Sequence, residues 1–300
     1  HFWRGIGSID CPNMDTPAQP SVHLYQVAYN TATRDALEPG YRMLDNLANE
    51  RPDWYEYWPI RRFLLDAEQG RSAPLDDAAW YGFFSPKFGS KTQLTHDQVQ
   101  DFVRQRDASA DVVLFSPQPD MGAFFLNVFE QGEAFDPGLI AAYEALLAQI
   151  GRPIPLAQLV MDSRQVVFSN YFVARPAFWR EWLTLNEALF AACEGPGAAL
   201  KAALTHETSY PGPGGRGAQR KVFLMERAAS LLLATQPHWR SVAYNPFGMG
   251  WSMSRFREHP TDAFISDALK IAYRDQRFPE YLSAFAQVRE RFQRGARSTT

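Results

Sequence analysis

The residues of this chain best suited to chemistry stand just past its apolar runs. "SVHLYQVAYN" (21–30) ends in Tyr29 and Asn30, and "AWYGFFSP" (79–86) leads through Ser85 to Lys87. "ADVVLFSP" (110–117) carries Ser116 and is followed by Asp120, and "RSVAYNPF" (240–247) ends on Asn245 and Phe247. Each run reads as a strand, and in open α/β sheets the crevice beyond the carboxyl ends of the strands is the usual ligand site. Taken singly, these are ordinary turn residues. Together, the hydroxyls, the amides and the Lys87 ammonium suit a polar ligand that carries phosphate. A further polar pair, Ser169 and Asn170, interrupts the apolar run "VVFSNYFV" (166–173). A buried amide without partners costs about 1–3 kcal/mol, so Asn170 either satisfies backbone groups at a bulge or faces a ligand.

Absent motifs narrow the chemistry. There is no GxxxxGK[ST] phosphate loop, no GxGxxG after the first strand, no GxSxG elbow and no HExxH, which sets aside Walker-type NTPases and dinucleotide dehydrogenases. His1, His23, His96, His206, His238 and His259 are scattered without helical metal-ligand spacing. Cys11 and Cys193 are the only cysteines, too few for a disulfide framework or a cysteine-based zinc site, and a cytoplasmic setting is expected.

The elements that must position these residues alternate between strand and helix, the pattern of a largely parallel sheet flanked by helices. Helical spacing marks "DWYEYWPIRRFLLDAE" (53–68), where Pro59 forces a start or a kink. It also marks "LTHDQVQDFVRQRD" (94–107), with Thr95 as N-cap and Val99, Phe102 and Val103 on one face. "MGAFFLNVFEQG" and "PGLIAAYEALLAQIG" read as helices, as do the segment from Pro176 through Cys193 and residues 218–235. "SYPGPGGRG" (209–217) reads as a loop, either a passive connection or a mobile lid. One domain over 21–260 is expected, after an N-terminal extension (1–20) and before an amphipathic helical tail (261–300) that packs on it. At 46% hydrophobic over 300 residues, the chain can bury a large core. A net charge of −3 without long runs of one sign argues against nucleic acid as a partner. No apolar run reaches the roughly 20 residues that span a bilayer, although peripheral membrane association stays compatible with the sequence.

The order of these segments resembles that of GT-A-fold glycosyltransferases, especially the bacterial polysaccharide-cluster transferases whose central strand ends in a His-Tyr-Arg-Arg type sequence. Glu56 in "DWYEYWPIRRFLL" takes the place of an acidic residue that opens a helix ahead of that strand. "AWYGFFSPKF" lies where metal-dependent members carry Asp-x-Asp, "FSNYFVARPAFWREWL" resembles their Asn-containing strand, and "RKVFLMERAASLLLA" resembles their Glu-Arg-Leu helix. The resemblance covers roughly residues 21–250. It implies a mixed, mainly parallel GT-A-like sheet, a nucleotide-sugar donor, and a saccharide or glycolipid acceptor in surface polysaccharide synthesis. It places Tyr29, Asn30, Glu56, Ser85, Lys87 and Asn170 at the donor, and Glu226, Lys87 and Asp120 at the reacting centre. Glu226 has an alternative as half of a buried pair with Arg227. The missing Asp-x-Asp makes a metal-free site the expectation, with Asp120 or Asp162 as the ligands if a divalent ion is used. It also keeps a second reading alive, a non-catalytic GT-A-like subunit that binds glycan or scaffolds a complex.

Overall fold

The computed structural model describes residues 19–297. Its strands are β1 (Val22–Ala28), β2 (Arg42–Asp45), β3 (Trp80–Phe84), β4 (Val112–Leu114), β5 (Phe172–Ala174), β6 (Glu207–Pro211), β7 (Gly217–Gln219) and β8 (Ser241–Ala243). Six of them form one sheet in the order β2-β1-β3-β5-β4-β8, while β6 and β7 pair separately. Five strands of the large sheet run parallel; β5 runs antiparallel between β3 and β4. The α/β class, the mainly parallel sheet and the single domain expected from the alternation of strands and helices are all present.

Period-two alternation splits each strand between two cores. Tyr81 and Phe83 of β3, Val112 and Leu114 of β4, and Phe172 and Ala174 of β5 face the larger core. That core is closed by Tyr57, Ile60 and Leu64 of the helix Tyr57–Glu68, by Trp179 and Trp182 of the helix Pro176–Glu194, and by the helix Arg220–Thr235. Trp80 and Phe84, Val113 and Val173 point the other way, against Val99 and Val103 of the helix His96–Gln105. Both sheet faces are therefore dry, which explains why the strands read as continuous apolar runs.

Where expected elements and structure differ, the cause is local. The run 166–173 is strand only from Phe172, because Ser169 (φ +60°) and Asn170 (φ +55°) take left-handed backbone and break the extended chain. The segment "MGAFFLNVFEQG" is two helices, Pro119–Phe124 and Val128–Phe135, since Asn127 caps the second by accepting 2.8 Å bonds from the N–H groups of Phe129 and Glu130. Pro59 falls in the first turn of its helix, where a missing N–H is harmless. Thr95 is the N-cap expected, in a capping box with Gln98. "SYPGPGGRG" is mostly a hairpin, β6 and β7 with the turn between them. The chain ends in two helices, Pro260–Gln276 and Pro279–Arg297. The first is fixed to the domain by Lys270, whose buried ammonium donates to the carbonyls of Gly122 (2.6 Å) and Phe125 (2.9 Å). The extension 1–20 lies almost wholly outside the described residues.

Gly82 of β3 pairs with Leu24 of β1 and Val173 of β5, and a Cβ there would stand 2.8 Å from Val173 Cγ2 and 3.1 Å from Leu24 Cδ2. Gly82→Ala should therefore destabilise the domain by about 1–3 kcal/mol through overpacking. Urea denaturation checks this, and an unchanged midpoint would show that the sheet centre has slack.

Candidate functional site

A cleft of about 800 Å³ opens along the edge where β1, β3 and β4 end and β5 begins. After β1 the chain turns to β2 on one side and then crosses to β3 on the other, so the β1–β3 boundary is the switch point at which α/β sheets bind ligands. Tyr29 from the end of β1 and Ser85 and Lys87 from the end of β3 line the cleft there. Glu56, at the start of the helix Tyr57–Glu68 and next to Tyr29, and Glu226, on the helix Arg220–Thr235, line it too. The β6–β7 hairpin overhangs the far end, with Tyr210 on the lining.

Five site residues expected from the sequence thus meet in one cleft: Tyr29, Glu56, Ser85, Lys87 and Glu226. Asn30, Asp120 and Asn170 do not line it. Asn30 caps the short helix Thr31–Asp35, its Oδ1 accepting from the Thr33 N–H at 2.9 Å. Asp120 is fully buried; its carboxylate accepts from the Ser252 N–H at 3.0 Å, from the Ser252 hydroxyl and from the Ser254 hydroxyl at 3.1 Å. Asn170 is buried with its Nδ2 3.1 Å from Met225 Sδ. Its place in the apolar run reflects the left-handed backbone, which Asn tolerates better than most residues.

Asp162, the other carboxylate considered for a metal, is buried and paired with Arg164 at 2.9 Å and Arg274 at 3.4 Å. Among the described residues, no three His, Cys, Asp or Glu side chains are grouped to hold a metal ion. The end of β3 supplies the Ser85 hydroxyl and the Lys87 ammonium to the cleft.

Lys91 is the functional group the sequence reading missed. It follows Lys87 by four residues, so the short helix Phe88–Thr92 presents both ammonium groups to the cleft, and that spacing was the available signal. Lys91 Nζ donates to Ser169 Oγ at 2.9 Å and lies 5.6 Å from the centre of the Tyr171 ring. The Tyr171 hydroxyl is in turn 2.6 Å from Ser85 Oγ. The left-handed Ser169 thus places a hydroxyl under Lys91.

Electrostatically, the cleft is built around charges without ion-pair partners. Neither Lys87, Lys91, Glu56 nor Glu226 forms a salt bridge among the described residues. The buried Glu226–Arg227 pair is not formed: Arg227 donates to the carbonyls of Val128 and Phe223, both at 2.8 Å, and to Gln131 Oε1 at 2.6 Å. Burial raises the Glu56 carboxyl, against the pull of its own backbone N–H, Lys91, Tyr29 and Lys87. Burial, and then the Glu56 charge, push Glu226 up to about 7, against Arg227, Lys91 and the Ser169 N–H. Both keep some surface open to the cleft. The Tyr29 hydroxyl is buried without a well-formed hydrogen bond; burial and the neighbouring Glu56 hold its proton on far above the usual phenol range.

Backbone strain gathers at the same place. Of the seven described non-glycine residues with positive φ, Asn49, Tyr55, Gln118 and Ser169 line this cleft. Such conformations cost on the order of 1–3 kcal/mol each and cluster at functional sites. Comparison of the chain with family models, curated proteins and solved structures found no match. The case for this cleft as the functional site therefore stands on its geometry: position in the sheet, unpaired charges and stored strain.

The raised Glu226 carboxyl makes a stability prediction with a definite sign. Its folded pKa of about 7 lies above the ordinary 4.5, so the folded state holds the proton more tightly than the unfolded chain. Glu226 therefore opposes folding increasingly as pH rises from about 4.5 to 7, by an amount on the order of 3 kcal/mol above that window. Glu226→Gln should stabilise the protein at pH 8 and change little near pH 4.5. Urea denaturation at both pH values checks this; an equal effect at both would mean that Glu226 does not titrate as described.

Proposed function

We propose that the chain is a GT-A-like glycosyltransferase that moves a sugar from a nucleotide-sugar donor to a hydroxyl of a saccharide or glycolipid. The observation that carries the reading is the meeting of two ammonium groups and two carboxylates, none in an ion pair, in one cleft at the switch point of the sheet. That set matches the charges that develop in sugar transfer, negative on the departing diphosphate and positive on the sugar.

In this mechanism Lys87 and Lys91 hold the diphosphate and stabilise it as the bond to the sugar breaks. The Ser169 hydroxyl fixes Lys91 through its 2.9 Å bond. Tyr29, its hydroxyl buried beside Glu56, keeps its proton and helps to position that carboxylate at the cleft wall. Glu226, with a carboxyl near 7, suits a general base that takes the acceptor hydroxyl proton at neutral pH. Glu56, whose carboxyl burial raises, lines the same cleft and in its ionised form would stabilise the sugar as it gains positive charge. The positive charge that a divalent ion supplies in metal-dependent relatives comes here from the lysines.

Initial rates with a panel of nucleotide sugars test the assignment. Transfer should survive EDTA, Lys87→Ala should lower it by about 10²-fold or more, and Lys87→Arg should keep part of it. For the wild type, kcat/KM should rise with pH through about 7 as Glu226 loses its proton, and Glu226→Gln should remove that limb with most of the rate. Loss of transfer in EDTA with recovery on adding Mn²⁺ would sink the lysine-based mechanism. Donor binding without transfer or hydrolysis would favour a binding subunit instead.

A further inference from the structure

The cleft changes character along its length. At the β1–β3 end its charged groups lack ion-pair partners, whereas under the hairpin the polar groups are already engaged within the protein. Asp136 is held by Arg220 through two bonds of 2.6 and 2.7 Å, and Gln131 by Arg227 at 2.6 Å. The Thr208 hydroxyl donates to the Ala218 carbonyl at 2.8 Å. What this end offers a ligand is chiefly Phe135, Leu139, Tyr210, Pro211, Val222 and Phe223. Phe135 is 60% exposed and Tyr210 58% exposed, although Tyr210 is set in place by an edge-on contact with Phe223 at 5.6 Å. Large aromatics left open on the wall of a charged cleft mark a surface that a ligand's apolar part would cover.

The helix fixes the distance between the two ends. Val222 and Phe223 precede Glu226 by four and three residues, which puts them on the same face, about one 5.4 Å turn away. A hydroxyl delivering its proton to Glu226 therefore sits within about a single sugar ring of the apolar wall.

Resting on the transferase reading, we propose that the acceptor is amphipathic, with an apolar anchor attached within one or two sugar units of the hydroxyl that reacts. The bond from the anomeric carbon to the diphosphate breaks, with its electron pair leaving on the nucleoside diphosphate. A bond from the acceptor oxygen to that carbon forms, and the hydroxyl proton passes to Glu226. The anchor meanwhile lies under the hairpin. Such a substrate must come from a reaction that joins a first sugar to an apolar carrier, so this enzyme acts early in building a glycan and not on the far end of a long one.

The test compares methyl and octyl glycosides of common hexoses, and octyl glycosides of a pentasaccharide, all below their micelle concentrations, with a radiolabelled nucleotide-sugar panel. Donor hydrolysis is followed separately. In the wild type the octyl monosaccharide should have a KM about tenfold or more below its methyl counterpart, since each buried methylene adds favourable transfer free energy. It should also outperform the octyl pentasaccharide. Phe135→Gln and Tyr210→Ser, both at exposed positions, should abolish the octyl advantage while donor hydrolysis continues at the wild-type rate. Equal KM values for methyl and octyl acceptors, an octyl advantage that survives both substitutions, or a preferred pentasaccharide would each overturn the inference while donor turnover kept the transferase reading intact. No turnover of any donor would overturn that reading, and this inference with it.

Discussion

The site depends on one reversal of chain direction. β5 enters the sheet antiparallel between β3 and β4, so its first residues lie at the edge where its neighbours end. The turn that feeds it uses two successive left-handed residues, Ser169 and Asn170. A fully parallel strand in that place would put those residues at the opposite edge, away from Lys87 and Glu226. As built, the turn sets a hydroxyl beneath Lys91 and an N–H beside Glu226, and buries the amide of Asn170 against Met225 on the neighbouring helix. The strain of two left-handed side-chain-bearing residues is tolerated because the sheet on one side and the Arg220–Thr235 helix on the other leave the segment little alternative.

A second constraint follows from the first. Charges held in a partly dry cleft without counter-ions oppose folding, and this chain places carboxylates and ammonium groups there together with strained backbone. The buried carboxylates around the cleft are, by contrast, engaged. Asp136 with Arg220, Asp162 with Arg164 and Arg274, and Asp120 with its serines are buried polar groups that have partners. Buried charges that are paired hold elements in register, while those left unpaired are available to a ligand. The contrast separates the supporting network from the site more sharply than residue type does, since the same kinds of side chain occur in both.

That contrast also explains what could be read in the sequence. Strand ends at Tyr29, Ser85 and Lys87 were legible because apolar alternation locates a strand and the α/β rule says which end binds. Thr95 was legible because a capping box is a local signal. Asp120 was indistinguishable from a site residue because its partners, Ser252 and Ser254, lie far away in the chain, and Asp162 is held in part by the equally distant Arg274; Asn30, by contrast, carried a local capping signal with Thr33 that was overlooked. Asn170 was singled out for its conflict with an apolar run; its backbone takes a left-handed turn, its Nδ2 meets Met225 Sδ, and its Oδ1 is buried without a hydrogen-bond partner. Lys91 was passed over although its four-residue offset from Lys87 was in plain view, because the short helix Phe88–Thr92 carries no apolar periodicity to announce it. The hairpin was read as a loop because β6 is mostly solvent-exposed and its turn is rich in glycine and proline.

On the transferase reading, the same electrostatics couple the arrival of donor to the strength of the base. Lys91 opposes the rise of Glu226, while burial and Glu56 drive it up to about 7. A diphosphate bound between Lys87 and Lys91 adds negative charge and neutralises the cation that had been lowering Glu226. Both changes raise the proton affinity of Glu226 further, so each ionised carboxylate is a stronger base while the ionised fraction at neutral pH falls, and transfer would shift towards higher pH once donor is bound. An acceptor whose apolar part closes the hairpin end would exclude water as well and strengthen these interactions again. Donor, base and acceptor are then linked through charge and burial. On that reading the unpaired lysines and the raised glutamate act together, and neither would respond to donor in this way in a cleft whose charges were already paired.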